Sequence, residues 1–518
     1  MTEKQTKFGL VMIGLLVGIL MSAMDNTIVA TAMGTIVGDL GGLDKFVWVT
    51  SAYMVTEMAG MPIFGKLSDM YGRKRFFIFG VVVFLLGSML SGTAQNITEL
   101  IIYRAIQGIG GGALAPIAFA IIFDVAPPEQ RGKMGGMFGA VFGLSSIFGP
   151  LLGAYITEYL NWHWVFYINV PLGILAFVLI VGFYHESRVH TAQRIDWLGV
   201  FTLVPAIGAL MFALQLGGNK YPFASTQIFG LFAVALVLLG LFLYVETKAA
   251  EPIISYQMFR KRLFAVSNVI GLLQGGAYIV AVLYIPIFVQ GVFGGTATNS
   301  GLTLLPMMLG TVVASQIGVF LARKTSYRNV MLVAGAVFAA GILGCGSLTP
   351  DSSRLIVTLY MIVVGLGTGA FFSVLGVSSM QPFQAAQRGV ASSTMNFVRS
   401  LGMTLGITVF GIIQRNLMQS GLAKNFAGLG GVPHNLKVMD PHAVLSPALR
   451  AHIPAQVLSR ITDALSVSVV HTFLWALVPA LLVLLVTTFM GKERMDLAAW
   501  GGTEAAVNSE PVLTPDVD

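Results

Sequence analysis

Charged side chains are scarce in this chain of 518 residues. Asp, Glu, Lys and Arg make up 10% of it and hydrophobic residues 56%, whereas soluble proteins carry about 25% charged residues. A chain with so little charge and so many apolar residues is an integral membrane protein with many spans. The net charge of +7 does not indicate nucleic-acid binding, because the cations are scattered through short loops.

Cysteine is nearly absent, since the chain has only Cys345. A single cysteine excludes an internal disulfide and a cysteine-cluster metal site, and we expect it to pack as a small hydrophobic residue. The apolar runs also lack a His/Glu metal set and a nucleophile triad, and no sizeable soluble domain separates them. The sequence therefore disfavours an enzyme or a receptor, and we expect no metal.

Long apolar runs dominate the chain. A helix needs about 20 apolar residues to cross a bilayer, and on this basis we predict an all-α protein with fourteen spans. Most Lys and Arg residues outside the spans fall on the side that holds both termini, and positively charged loops lie in the cytoplasm. We therefore place both termini in the cytoplasm, a long outer loop at about 415–465 and a disordered cytoplasmic tail at 491–518.

Two glycine-rich runs, in predicted spans four and twelve, resemble each other. Their glycines are 257 positions apart: Gly108, Gly110 and Gly112 correspond to Gly365, Gly367 and Gly369. This offset indicates two six-span halves, at 1–190 and 261–490, with two spans inserted between them in 191–260. A dinucleotide-binding loop is disfavoured because its signature follows a strand. Glycines inside an apolar helix favour close packing between helices instead.

A charged stretch from Gly65 to Arg75 joins predicted spans two and three. Gly65 can let two helices approach closely, and Gly72 can adopt a positive φ. On composition alone, an ordinary positively charged cytoplasmic loop is an open alternative. The spacing G-x-L-S-D-x-x-G-R-K-R is more specific and resembles the signature loop of the major facilitator superfamily. That resemblance implies that Asp69 helps to latch the cytoplasmic face. The implied conformational-switch residues are Gly65, Asp69, Gly72, Arg73 and Arg131.

Ionisable residues inside the predicted spans are few, and the two halves differ in them. The N-terminal half has Asp25, Glu57 and Arg104, whereas the C-terminal half has only Arg399. A charge at the bilayer centre costs at least about 2.5–3.5 kcal/mol on insertion scales, so such residues usually face the bundle interior or a water-filled cavity. The simplest alternative to a functional role is that Asp25 and Arg104 form an ion pair that only stabilises the structure.

The motifs around these residues resemble the fourteen-span drug/proton antiporters of that superfamily. Asp25 lies in M-D-N-T-I-V, similar to the first-span motif, and Arg104 begins the fourth-span R-x-x-Q-G motif. The stretch that starts at Trp162 matches W-x-W-x-F-x-x-N-x-P-x-G of the same branch. Span five resembles the exporters' G-P-x-x-G antiporter motif with its upstream glycines. The residues that carry it are Gly143, Gly149, Pro150 and Gly153.

The resemblance implies the major facilitator fold, with two six-helix bundles plus two inserted helices. It also implies proton-coupled efflux of lipophilic, cationic drugs from a bacterial plasma membrane by alternating access. Proton coupling would fall to Asp25 and Arg104. The candidate substrate-binding residues are Glu57, Asn26, Tyr53, Met54 and Gln107, and Glu57 is chosen because its neighbours suit a cavity wall facing a lipophilic cation, not because a family motif requires it. The expected partners are small-molecule drugs, protons and the lipid bilayer, with no nucleic acid and a monomeric chain. The energy source is the proton gradient, without a cofactor.

Two points stay open at this stage. Either Asp25 or Glu57 carries the coupled proton, and Glu57 is nearly as well explained by a polar contact between helices. The alternative function is dedicated export of one compound, such as a tetracycline-like antibiotic or a lipid.

Overall fold

The computed structural model describes residues 7–40, 46–126, 131–186, 196–218, 221–249, 252–254, 256–295, 297–384, 387–427 and 453–495. These residues form sixteen helices. Their bounds are α1 Phe8–Leu40, α2 Phe46–Tyr71, α3 Arg73–Ser91, α4 Ile97–Val125, α5 Arg131–Tyr159, α6 Trp164–Tyr167, α7 Asn169–Phe183, α8 Trp197–Leu216, α9 Thr226–Lys248, α10 Tyr256–Phe259, α11 Arg262–Gly291, α12 Ala297–Lys324, α13 Tyr327–Cys345, α14 Arg354–Met380, α15 Arg388–Phe426 and α16 Ala455–Thr488.

Short polar residues set the starts of several helices. Asn96 accepts a hydrogen bond from Glu99 N at 2.9 Å, and the Glu99 carboxylate accepts one from Gln95 N at 2.9 Å. This reciprocal cap satisfies amide groups that lack partners in the first turn of a helix. Ser326 and Ser353 cap α13 and α14 by one hydrogen bond each, accepted from the amides of Asn329 and Ile356. Polar caps therefore mark where the apolar helices begin.

Twelve membrane spans are supported by length and apolarity within the described residues. Helices α6 and α7 together form one of them. Helices α2 and α5 have 26 and 29 residues, long enough to cross, but they are not among the twelve. The all-helical membrane fold is confirmed, whereas the count of fourteen spans and the domain limits stay predictions.

Matching glycine contacts relate the two halves. On α4, Gly108 lies against the backbone of α2 and Gly110 against that of α3, so that a Cβ at either position would collide with main-chain atoms. On α14, Gly365 and Gly367 lie in the same way against α12 and α13. The predicted close packing is confirmed, because small residues allow helix backbones to approach without steric overlap.

Helices α8 and α9 pack against each other, and α8 packs on α2. Trp48 of α2 and Phe212 of α8 have ring centroids 4.6 Å apart. Leu401 and Leu405 of α15 contact the same apolar cluster, which includes Met211 of α8. The inserted pair therefore lies beside the seam between α2 and α15.

The charged stretch after span two is more helical than the sequence predicts. Helix α2 continues to Tyr71, and α3 begins at Arg73. Gly72 alone interrupts them, with a φ of 111°, a conformation that glycine adopts without strain. Asp69 at the end of α2 and Arg73 at the start of α3 pair at 2.8 Å across this interruption.

The segment expected as a long outer loop begins and ends in helices. Helix α15 runs to Phe426 and α16 starts at Ala455, and residues 428–452 lie outside the described residues. The two helices extend because they pack beyond the span: Asn425 Nδ2 donates to Arg460 O at 2.9 Å, and Phe426 is fully buried.

The beginning of the expected tail is ordered against the C-terminal half. Tyr327 N donates to Glu493 O at 2.9 Å, and Met495 N donates to Ala322 O at 3.1 Å. Residues 496–518 lie outside the described residues. Main-chain groups at the end of α12 and the start of α13 have no partner within their own helices. They pair with residues 493–495 instead, as buried backbone polar groups generally require.

Cysteine labelling of intact cells tests the topology. In a Cys345→Ala background, cysteines at the exposed positions 95, 161 and 224 should react with a membrane-impermeant maleimide, and those at 75 and 324 should not. Cys345 is buried, so its removal should leave the fold intact. Labelling of 224 from inside only would contradict the assignment of α8 and α9 as a spanning pair.

Candidate functional site

A buried carboxylate joins three helices of the N-terminal half, α1, α4 and α7. Asp25 Oδ2 pairs with Arg104 Nη1, while Asp25 Oδ1 accepts hydrogen bonds from Gln107 Nε2 at 2.8 Å and Asn169 Nδ2 at 2.9 Å. Asp25 and Arg104 are 0% and 1% exposed. Water does not reach this position to solvate either charge. Asp25 and Arg104 therefore neutralise each other, because a buried charge needs a partner of opposite charge.

Aromatic rings frame the guanidinium of Arg104. Its Cζ lies 4.2 Å from the centroid of the Tyr53 ring and 6.0 Å from that of Phe166. Arg104 Nη1 also donates to Gln107 Oε1 at 2.7 Å. A cation on the face of a desolvated ring is stabilised by the quadrupole of that ring. The position of Arg104 is therefore set by one acid, one amide and two rings.

Glu57 lies next to this cluster but is partly exposed. Ser22 Oγ is 3.1 Å from Tyr53 Oη and donates to Glu57 Oε1 at 3.5 Å. Asn26 also approaches the Glu57 carboxylate, and its own Oδ1 has no hydrogen-bond partner. Ser22 and Tyr53 thus connect an accessible carboxylate to the buried pair.

The residues predicted to bind substrate lie at different places in the structure. Tyr53, Asn26 and Glu57 lie together, whereas Gln107 is a direct hydrogen-bond partner of Asp25. Met54 faces α8 instead, where its Sδ is 3.5 Å from Gln215 Nε2. The substrate role of these residues stays a prediction.

Glycines of the predicted antiporter motif bring α5 against α1, close to Asp25. A Cβ on Gly149 would collide with Thr27, and one on Gly153 would collide with Thr31. Thr27 Oγ1 donates to Ser145 O at 2.9 Å across the same contact. Pro150 lies between the two glycines within α5, and Gly143 lies one to two turns earlier, where only the helical backbone is described.

A second charged site joins the two halves at the end of α2. Asp69 Oδ2 accepts a hydrogen bond from Val390 N at 2.9 Å, in the first turn of α15. Its other oxygen pairs with Arg73 Nη2 at 2.8 Å, and Arg73 Nη1 donates to Ala120 O at 3.0 Å. A carboxylate at a helix N-terminus satisfies a free amide group and interacts favourably with the helix dipole.

Gly65 and Gly389 make this contact possible. A Cβ on Gly65 would collide with Ser393 of α15, and one on Gly389 would collide with Asp69 itself. The expected close approach at Gly65 is therefore confirmed. Arg131 begins α5, but its side chain lies outside the described part of the chain.

Sequence reasoning missed three polar residues of the site. Asn169 donates to both Asp25 and Ser88, at 2.9 and 3.0 Å, and Ser22 connects Tyr53 to Glu57. Asn169 is the asparagine of the W-x-W-x-F-x-x-N-x-P-x-G stretch, so the sequence could have indicated it. Nothing in the sequence distinguishes Ser22 and Ser88, because isolated serines are common in apolar helices.

Comparison with known proteins agrees with this architecture. The family model described as Major Facilitator Superfamily matches residues 15–407. The chain is 53% identical over 501 residues to "Multidrug resistance protein 3" of Bacillus subtilis, covering 96% of this chain and 98% of the relative. It is 40% identical over 410 residues to "Multidrug transporter protein MdtP" of the same organism, covering 79% and 76%.

Solved structures share the fold at low sequence identity. A bacterial homologue of the human lysosomal transporter Spinster, inward-facing and unoccupied, matches with a TM-score of 0.56 and 17% identity, over 94% of this chain and 98% of that one. The proton:xylose symporter XylE gives 0.55 and 14%, over 90% and 95%. This chain belongs to the major facilitator superfamily, and it is a multi-pass membrane transporter, not an enzyme.

The contact of Asp69 with α15 predicts a shift in conformation when its charge is removed. Asp69→Asn should weaken the contact by about 1–2 kcal/mol, a factor of about 5–30 in an equilibrium. Spin labels at the exposed positions 75 and 324, one in each half, should then show a larger population of long distances.

Ser68→Ala is the matched control for this experiment. Ser68 is buried in the same turn, but among the described residues its Oγ donates to Gly65 O of its own helix and not to α15. If both variants left the distance distribution unchanged, Asp69 would not hold the two halves together at this end.

Proposed function

We propose that this protein exports lipophilic cationic drugs from a bacterial cell in exchange for protons. Its two Bacillus relatives are named as multidrug proteins and match most of its length, which supports multidrug efflux across the plasma membrane. The end of the molecule that carries Asp69 is the cytoplasmic end in this proposal, because it holds the positively charged stretch from Lys66 to Arg75.

The observation that carries the proposal is the placement of two acidic residues. Asp25 is fully buried and paired, and Glu57 is partly exposed a short distance away. A buried carboxylate can gain a proton when its cationic partner moves, whereas an accessible carboxylate among apolar side chains suits a lipophilic cation. We therefore assign the coupled proton to Asp25 and substrate charge recognition to Glu57.

The described arrangement corresponds to a state closed on the cytoplasmic side. Asp69 holds Val390 N there, and Ser392 Oγ donates to Pro116 O at 3.3 Å across the same seam. Opening this side separates Asp69 from α15 and admits drug from the cytoplasm. The alternation between two such states is the usual motion of transporters with paired repeats.

Proton binding and drug release are linked through Arg104 in this mechanism. Protonation of Asp25 removes the negative charge that holds Arg104, so the guanidinium rearranges against Tyr53 and Gln107. Tyr53 connects through Ser22 to Glu57, and a guanidinium that is no longer neutralised lowers the affinity of the nearby site for a cation. Protonation from outside thus favours drug release, and loss of the proton to the cytoplasm favours drug binding.

Asp25→Asn tests the coupling. The variant is nearly isosteric and resembles protonated Asp25, so it should lose concentrative efflux and bind a cationic drug only with the lower affinity of the protonated state. Addition of drug to de-energised vesicles should release protons with wild-type protein and fewer with the variant. Uphill pumping by Asp25→Asn with wild-type proton release would show that Asp25 is not the coupling site.

A companion variant separates coupling from folding. Removing one partner of a buried pair leaves an unpaired charge and is strongly destabilising, by about 3–5 kcal/mol. The double variant Asp25→Asn/Arg104→Gln removes both charges and should be more stable than Arg104→Gln with Asp25 intact. Thermal unfolding in detergent measures this difference, and the double variant should remain uncoupled.

Glu57→Gln tests the recognition of cations. It should reduce the export of tetraphenylphosphonium at least about fivefold, the loss expected from one charge-assisted interaction, and should affect the neutral dye Nile red less. Equal losses for both compounds would return Glu57 to a structural role in helix packing.

A further inference from the structure

Arg399 is a buried cation in the C-terminal half that the proposed proton cycle does not use. It lies in α15 and is 9% exposed. Its Nη2 donates to Asn396 Oδ1 at 2.6 Å. Among the described residues, Asn396 is the hydrogen-bond partner of the Arg399 side chain, and the guanidinium forms no ion pair with them. A guanidinium inside a membrane protein without an anion is energetically unfavourable.

Arg104 and Arg399, one in each half, have similar surroundings but differ in charge balance. Arg104 lies 4.2 Å from the ring centroid of Tyr53, and Arg399 lies 4.8 Å from that of Phe372. Arg104 is neutralised by Asp25, whereas Arg399 has the aromatic ring and an amide but no carboxylate. The N-terminal half supplies Asp25 as the anion for Arg104, whereas the described residues of the C-terminal half supply no anion for Arg399.

A small cavity lies beside Arg399 at the seam between the halves. It is lined by residues of α4, α14 and α15, among them Phe119, Ser379, Ser392 and Asn396. Phe119 belongs to the N-terminal half, and its ring centroid is 5.9 Å from the Arg399 guanidinium. Separation of the halves on this side removes the Phe119 ring and exposes the free N–H groups of Arg399.

The backbone at Arg399 lies against a neighbouring helix. A Cβ on Gly275 of α11 would lie 2.7 Å from Arg399 O, so α11 and α15 are in direct contact at this position. Arginine, with its planar fork of donors, matches a carboxylate in two-point geometry.

We propose that Arg399 binds the carboxylate of zwitterionic aromatic substrates when the transporter is open on the Asp69 side. The inference extends the proposed export function and rests on it. Phe372, which already stacks on the guanidinium, provides an apolar surface for the aromatic part of such a substrate. Glu57 and Arg399 then contact opposite charges of one molecule, one from each half.

Two dyes that differ by one methyl group test the proposal. Rhodamine 110 carries a free carboxyl group, and rhodamine 123 is its methyl ester; both keep the same cationic ring system. Binding to the purified full-length protein in lipid nanodiscs is measured by fluorescence anisotropy. Arg399→Gln should raise the Kd for rhodamine 110 by about tenfold or more and change that for rhodamine 123 by less than about twofold.

Three further variants control the experiment. Arg399→Lys keeps the charge without the fork and should retain part of the rhodamine 110 binding, which keeps the test valid if Arg399→Gln does not fold. Lys424→Gln removes an exposed cation from the same helix and should leave both dyes unaffected. Asp69→Asn should favour rhodamine 110, because it populates the state that exposes Arg399.

The outcomes separate this inference from the proposed function. Equal losses of both dyes in Arg399→Gln, no loss of either, or wild-type binding of rhodamine 123 alone would overturn the carboxylate site and leave cation export intact. Failure of cells that produce the wild-type protein to export rhodamine 123 would instead contradict the proposed function, and the inference would fall with it.

Discussion

The neutralisation of Asp25 by Arg104 is the interaction on which the N-terminal half depends. Two opposite charges without access to water require each other, and the remaining polar atoms need hydrogen bonds. Gln107 and Asn169 provide these bonds at 2.8 and 2.9 Å. Helix α4 reaches this geometry because its glycines allow the backbones of α2 and α3 to lie close to it. The polar site and the glycine packing are therefore parts of one arrangement.

The two halves share their packing but not their chemistry. Gly108 and Gly365 make equivalent contacts in their halves, yet the repeat places Met361 opposite Arg104, and Met361 is fully buried without charge. The last turns of α12 have Ala322 four residues after Gly318, where the first half has Asp69 four residues after Gly65, and the Ala322 carbonyl accepts a hydrogen bond from Met495 N instead. The halves therefore share these backbone contacts, while the charges beside them differ.

The inserted pair of helices, α8 and α9, lies beside the contact between α2 of the N-terminal half and α15 of the C-terminal half. Helix α8 contacts α2, and its apolar cluster includes residues of α15. Gln215 of α8 bonds to Ser51, and Arg415 of α15 bonds to Gly218 just after α8. Helix α8 is therefore in contact with both sides of this seam.

The sequence by itself determined the membrane class, the long helices, the repeat and the identity of Asp25, Arg104, Asp69 and Gly72 as special positions. It could do so because apolar length, charge inside a span and a positive φ are local properties that residue type reveals. Tertiary structure alone decided that Asn169 and Gln107 bind Asp25, that Met54 faces α8 and that Asp69 caps α15. Those contacts depend on which faces of distant helices meet, and close packing of whole helices sets that, not the spacing of residues along one of them.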